Sequence, residues 1–131
     1  MIVLDASAVL ELLLGTAHGR RVAARLAEAD DTLHAPSLVD VEVLHVLRRL
    51  TRSRALGADE AESALSDLEA LDLERHDHLP VLRRAWDLRA NVSAYDAVYV
   101  ALAEALDAPL LTCDTKLTRA TGLEARILHV S

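Results

Sequence analysis

A three-layer α/β/α domain with a central, mainly parallel sheet of about five strands is the fold class this sequence predicts, on three observations. Short β-branched or leucine-rich runs alternate with longer helical patterns along the whole chain, an order that builds βα units and a helix-covered parallel sheet. Hydrophobic residues make up 52% of the 131 residues, yet aromatics are only 2% and Phe is absent. The core is therefore built from Leu, Val and Ala. No Gly/Ser linker, repeat or low-complexity block interrupts the chain, and Pro36, Pro80 and Pro109 fall at element boundaries, so residues 1–131 read as one domain.

The elements follow in order. Ile2-Val3-Leu4 is a strand that stops at Asp5, and a helical pattern from Ser7 to Leu14 runs to Gly15, which together make a βα unit. His18–Ala29 reads as a second helix and Thr32–Ala35 as a short strand. Ser37–Ser53 is a long helix with Val39, Val43, Val46, Leu47 and Leu50 on one face. Asp59–Leu71 and Val81–Ala90 read as further helices, with Leu73–His76 between them as a polar edge strand. Ser93 opens the most apolar helix, Ala94–Leu106, whose small and aliphatic residues cover nearly its whole circumference; such a helix is expected to be buried. Pro109–Cys113 is a strand ending at Asp114, a short helix runs to Ala120, and Arg126–Val130 is the last strand.

Charge excludes some functions. Fourteen basic against 21 acidic side chains leave −7, which argues against a broad basic surface for duplex nucleic acid or anionic membranes. The longest run without a charged side chain is eight residues, far short of the roughly 20 apolar residues of a membrane span. The apolar N-terminus carries Asp5 and Glu11 and no basic region, so no signal peptide is expected. One cysteine, Cys113, forms no internal disulfide and fits a reducing cytoplasm.

Several carboxylates stand where hydrophobic residues surround them. In open parallel sheets ligands bind beyond the carboxyl ends of the strands, and two strands finish in an aspartate, Asp5 and Asp114. Asp96 is the only charge between Asn91 and Glu104. On the long third helix both Asp40 and Glu42 border the apolar side, and periodicity does not choose between them. Each acid has a structural reading as well: Ser93-x-x-Asp96 and Ser37-x-x-Asp40 fit capping boxes, and Asp5 and Asp114 can cap the helices after their strands. Crowded together, however, carboxylates repel, and at least one has a raised pKa unless a cation intervenes. An all-oxygen set without Cys or His suits Mg²⁺ or Mn²⁺, and such ions support phosphate-ester hydrolysis.

The blocks Met1-Ile2-Val3-Leu4-Asp5-Ala6-Ser7-Ala8, Pro36 through Glu42-Val43-Leu44 to Leu47-Arg48-Arg49, Ser93-Ala94-Tyr95-Asp96-Ala97-Val98-Tyr99 onward, and Leu110-Leu111-Thr112-Cys113-Asp114 resemble the PIN-domain family. More narrowly they resemble the VapC-type toxin ribonucleases of toxin–antitoxin pairs, in the order and spacing of all four acidic blocks. The resemblance implies a Mg²⁺- or Mn²⁺-dependent endoribonuclease with metal ligands Asp5, Glu42, Asp96 and Asp114, and with Ser7 and Thr112 as supporting or water-positioning hydroxyls. It also implies a homodimer, an RNA substrate and a cognate VapB-type antitoxin covering the acidic groove, often through an inserted Arg. One departure stands out: many relatives carry a further acid near the position of Asp114, whereas Thr115, Lys116 and Leu117 follow here, so a second ion lacks that ligand. The rival readings are a catalytically silent PIN-fold module that binds RNA or antitoxin, and a receiver-like phosphoacceptor. The latter expects paired acids after the first strand, and Asp5 stands alone.

Arg48, Arg49, Arg52 and Arg54 gather at the end of the helix carrying Glu42. They either complement the helix macrodipole or form a phosphate-positioning patch, with Arg48, Arg49 and Arg52 the candidate RNA contacts. His76-Asp77-His78 is expected to be a polar surface turn rather than a metal site, and Cys113 a small buried residue rather than a nucleophile. Trp86, Tyr95 and Tyr99 are too few for a base-stacking platform.

Overall fold

The computed structural model describes residues 1–131. Its centre is a five-stranded sheet, β1 (Ile2–Leu4), β2 (Leu33–Pro36), β3 (Leu73–His76), β4 (Leu110–Thr112) and β5 (Ile127–His129), in the order β3-β2-β1-β4-β5. Every pairing is parallel, so the expected mainly parallel sheet is wholly parallel. The order reverses direction at β1: the chain builds outward to β3 on one side, then crosses to β4 on the other. That reversal opens a crevice at the carboxyl ends of β1 and β4, where Asp5 and Asp114 follow their strands.

The helices are α1 (Ala6–Leu14), α2 (Ala17–Ala29), α3 (Leu38–Arg52), α4 (Ala58–Ala70), α5 (Leu82–Asp87), α6 (Ala94–Ala105) and α7 (Lys116–Arg119). On one side of the sheet α1 packs against α2, α3 and α4; on the other α6 crosses β1 and β2 with α5 against it. The three layers enclose one cluster of buried side chains that includes Ile2, Val3 and Leu4 of β1, Leu110 and Leu111 of β4, and Val39 and Val43 of α3. As its composition predicts, α6 is the most buried helix, with Ala97, Tyr99, Val100, Ala101, Leu102 and Ala103 all inside.

Local chemistry sets several boundaries. Asp5 caps α1 by accepting the Ala8 N–H at 2.9 Å, and Gly15 ends that helix at φ 62°. Thr16 caps α2 through the Gly19 N–H. A Cβ on Gly19 would lie 1.9 Å from the Glu11 carbonyl oxygen, so only glycine lets α1 and α2 approach this closely. Ser93 caps α6 by accepting the Asp96 N–H at 3.2 Å, one half of the expected capping box.

Two expectations are corrected. Ser37-x-x-Asp40 forms no capping box: Ser37 has helical angles, its hydroxyl donates to the His76 carbonyl, and Asp40 instead takes a two-pronged bond from Arg75 at 2.8 and 2.9 Å. An Arg fork on a carboxylate is a stronger partner than a backbone amide. The helix expected over Val81–Ala90 is split into a 3₁₀ turn, Leu79–Val81, and the six-residue α5. Val81 sits at φ −107°, ψ 2°, off the helical angles. At the other end the Leu88 N–H is shared between the Arg84 and Ala85 carbonyls, a tightened last turn.

Candidate active site

The four acids singled out from the sequence line one cleft of about 730 Å³, together with Ser7, Arg49, Tyr99 and Lys116. They arrive from four places. Asp5 follows β1, Glu42 projects from the second turn of α3, Asp96 lies in the first turn of α6, and Asp114 follows β4. Asp40 lies outside this cleft, on Arg75, so geometry separates the two acids that helical periodicity left equivalent.

Asp5 is the most buried of the four, 6% exposed. Its Oδ1 accepts the Ser7 hydroxyl at 2.6 Å and the Ala8 N–H at 2.9 Å, while Oδ2 accepts the Thr112 hydroxyl. The same two hydroxyls accept in turn, Ser7 from the Cys113 N–H at 3.0 Å and Thr112 from the Asp114 N–H at 2.9 Å. A hydroxyl has one proton. Both are given to Asp5, so Ser7 and Thr112 fix that carboxylate and the β4–α7 turn. Asp5 is therefore both a helix cap and a wall of the cleft; the two readings coexist in one side chain.

The charges are unfavourable as they stand. Burial raises the pKa of Asp5 despite its three donors, and Asp96 adds to the rise. Burial likewise raises Glu42, with Asp96 and Asp5 contributing, against the lowering effect of a 2.7 Å bond from the Tyr99 hydroxyl. Asp96 is raised by burial and by Asp114, and lowered by Lys116. Three carboxyls in one cleft thus resist ionisation for the same two reasons, desolvation and one another. A hard cation relieves both at once, and an all-oxygen donor set is the kind that Mg²⁺ or Mn²⁺ takes.

Positive charge is supplied at the rim. The Lys116 ammonium lies 3.4 Å from Asp114 Oδ2, and Asp96 and Asp114 hold its pKa up, so it stays charged. Of the three candidate RNA contacts only Arg49 lines the cleft; Arg48 faces a separate groove between α3 and α4, with Leu44 and Leu65, and Arg52 lines neither.

Residues outside the cleft also differ from expectation. His76 and His78 are half-buried, not free on the surface: His76 Nε2 lies 2.8 Å from His34 Nδ1, and His78 Nε2 accepts the Leu38 N–H. The Cys113 thiol is pushed up to about 11 by burial, Asp5 and Glu11, which keeps it protonated and inert at neutral pH. Tyr99 and Lys116 are site residues to which the sequence alone assigns no role. The first carries a signal, since it lies three residues after Asp96 on the same helical face; the second stands two residues after Asp114.

The model of the PIN domain matches residues 2–123. Among characterised proteins, the VapC ribonuclease Mb0985 of Mycobacterium bovis is 44% identical over 118 residues, covering 90% of this chain and 89% of that protein. Ribonuclease VapC1 of Mycobacterium tuberculosis is 43% identical over 126 residues, covering 95% and 94%. The fold is shared with VapBC2 from Rickettsia felis, solved bound to a promoter DNA fragment, at a TM-score of 0.71 and 19% identity over the full length of both chains. It is shared too with PAE2754 from Pyrobaculum aerophilum, at a TM-score of 0.69 over 96% of this chain and 81% of that one. With a family model over most of its length and relatives above 40% identity across nine-tenths of it, this chain belongs to the PIN-domain family, among the VapC ribonucleases.

Proposed function

We propose that the chain is a divalent-metal-dependent endoribonuclease, the toxin of a toxin–antitoxin pair, and that residues 1–131 act as one PIN-like unit. That it is a ribonuclease follows from its family. The observation supporting the metal is the cleft itself, where burial and mutual repulsion raise the pKa values of Asp5, Glu42 and Asp96 together. Asp5, Glu42, Asp96 and Asp114 would hold Mg²⁺ or Mn²⁺. When bound, such an ion supplies a Lewis acid that lowers the pKa of a water and offsets the charge on a phosphodiester.

The chain's own groups supply the rest. Ser7 and Thr112 keep Asp5 in a single orientation, and Tyr99 does the same for Glu42. Arg49 and Lys116 stand at the mouth of the cleft, where they bind phosphate oxygens of an RNA strand and set its path across the acids. Thr115, Lys116 and Leu117 follow Asp114 where the resemblance implies a further acid nearby, and the Lys116 ammonium beside Asp114 favours one ion over two.

The same electrostatics fit a cognate VapB-type antitoxin that inserts an Arg among the acids. Val41 and Leu44, exposed on α3 beside the cleft, supply apolar surface for such a segment. Leu79, Leu82 and Trp86, exposed on the 3₁₀ turn and α5, supply a face for the homodimer. No helix is long and apolar enough to cross a membrane.

Sequencing of RNA ends after induced expression of wild type beside Asp5→Asn tests the reading. New ends at defined positions, present with wild type and absent with the variant, support it. Equal end profiles sink it in favour of a silent binding module.

A further inference from the structure

We propose that His34 Nδ1, His76 Nε2 and a carboxylate oxygen of Glu74 form a three-ligand site for a transition-metal ion, Zn²⁺ foremost, at the β2–β3 edge of the sheet and separate from the acidic cleft. The strand register builds it. In the parallel pair β2–β3, His34 stands beside Glu74 and Pro36 beside His76, and side chains two apart on a strand share a face. Arg75, between the two β3 ligands, points the other way, to Asp40 of α3. The three donor atoms lie within 4.8 Å of one another, with His34 Nδ1 2.8 Å from His76 Nε2 and 3.5 Å from Glu74 Oε2.

Two imidazoles and one carboxylate are a donor set of the borderline metals, typically with a solvent position as the fourth ligand. Glu74, whose side chain is 66% exposed, leaves that position open to water. Zinc–nitrogen bonds of about 2.0–2.1 Å in tetrahedral geometry put the two nitrogens about 3.3 Å apart. His76 therefore retreats by about half an ångström, a small shift for a half-buried side chain on an edge strand. His34 is also oriented as metal-bound histidines are. Its Nε2 lies 2.8 Å from the Thr32 hydroxyl, and with the proton on Nε2 the Nδ1 lone pair accepts the His76 Nε2–H; an ion takes the place of that proton, with His76 then carrying its proton on Nδ1. Burial favours the neutral imidazole that a metal takes. At the neighbouring end of the strands Asp30, Asp31 and Asp72 line a cavity with Glu74, and their field draws cations to this edge.

An ion here would join β2 to the edge strand and bear on α3. The His76 carbonyl accepts from the Ser37 amide and hydroxyl, and the Leu38 amide, the first of α3, donates to His78. The site thus braces the start of the helix that carries Glu42, and Mg²⁺ does not compete for imidazole nitrogens.

Titration of the wild-type protein with Co²⁺ in saturating Mg²⁺, read by visible absorption, tests the proposal. One equivalent is expected to develop the intense bands of a four-coordinate ion, displaced by one equivalent of Zn²⁺. Glu74→Ala and His76→Gln are each expected to abolish the bands, and Thr32→Val to weaken binding by about 10-fold or more. Glu74 is exposed, so its variant folds and decides the matter even if His76→Gln does not. Absence of the bands from wild type, or their retention in Glu74→Ala, overturns the site.

Discussion

The Tyr99 hydroxyl donates a 2.7 Å hydrogen bond to Glu42 Oε1 and so ties the buried helix α6 to α3 at the wall of the acidic cleft. Tyr99 is 1% exposed; its ring belongs to the core and only its oxygen reaches the site. Tyr99→Phe keeps the packing and removes the bond. A hydrogen bond to a charged group contributes about 1.5–3 kcal/mol, and urea unfolding is expected to show a loss of that order. The bond also lowers the Glu42 pKa, so the acidic limb of the pH–rate profile is expected to move to higher pH in the variant, a change that poorer packing would not produce.

Thr112→Val is expected to be worse than Ser7→Ala. Thr112 is fully buried, donates to Asp5 and accepts from the Asp114 amide, so an isosteric Val strands both partners. An unsatisfied buried group costs about 1–3 kcal/mol. Ser7 is only partly buried, and water can replace its hydroxyl. Thermal unfolding of the two variants should rank them in that order.

Without metal the cleft is a source of instability, and its pH dependence has a definite sign. Asp5, Glu42 and Asp96 have native pKa values raised above the ordinary carboxyl values of 3.8, 4.5 and 3.8. Over the range from those values to the native ones the folded state binds more protons than the unfolded, so stability falls as pH rises. In EDTA, Glu42→Gln and Asp96→Asn are therefore expected to melt higher than wild type at pH 7 and to lose that advantage towards pH 4. Mg²⁺ is expected to raise the melting temperature of wild type more than that of either variant.

Arg49 and Lys116 are expected to differ from Arg48 and Arg52 in RNA binding. Only the first pair lines the cleft. Removing one cation that neutralises a phosphate of a single strand reduces the salt slope of log K by about 0.7. Arg49→Glu and Lys116→Ala should each show that change in a binding titration across ionic strength, while Arg52→Glu should not. Uniform effects at all four positions would restore a diffuse patch.

The fold was legible in the sequence because its signals are local. The alternation of runs, the stops at Asp5 and Asp114, and the all-round apolar pattern of Ala94–Leu106 each depend on neighbours in the chain, and apart from α5 the corresponding elements stand within one or two residues of their expected bounds. What escaped depends on partners distant in sequence. Asp40 leaves its expected cap for Arg75, 35 residues away, and His76 turns inward to His34, 42 residues away. Only family resemblance favours Glu42 over Asp40 in the sequence, since helical spacing places both beside apolar residues; the fork to Arg75 is the physical difference between them. Lys116 was visible as a departure, but that its charge meets Asp114 depends on the short α7 turn. The net charge of −7 similarly counts acids without locating them. One divalent ion in the cleft brings the formal balance to about −5 and turns its most acidic surface towards phosphate.

The central claim is that these four carboxylates hold the ion that ribonuclease activity needs. Its most direct measurement is RNA cleavage by purified protein in Mg²⁺ or Mn²⁺, with wild type beside Asp5→Asn and Asp96→Asn, each shown by circular dichroism to be folded. Cleavage is expected to vanish in EDTA and to fall by at least about 100-fold in each variant. Full metal-dependent cleavage by both variants would contradict the account.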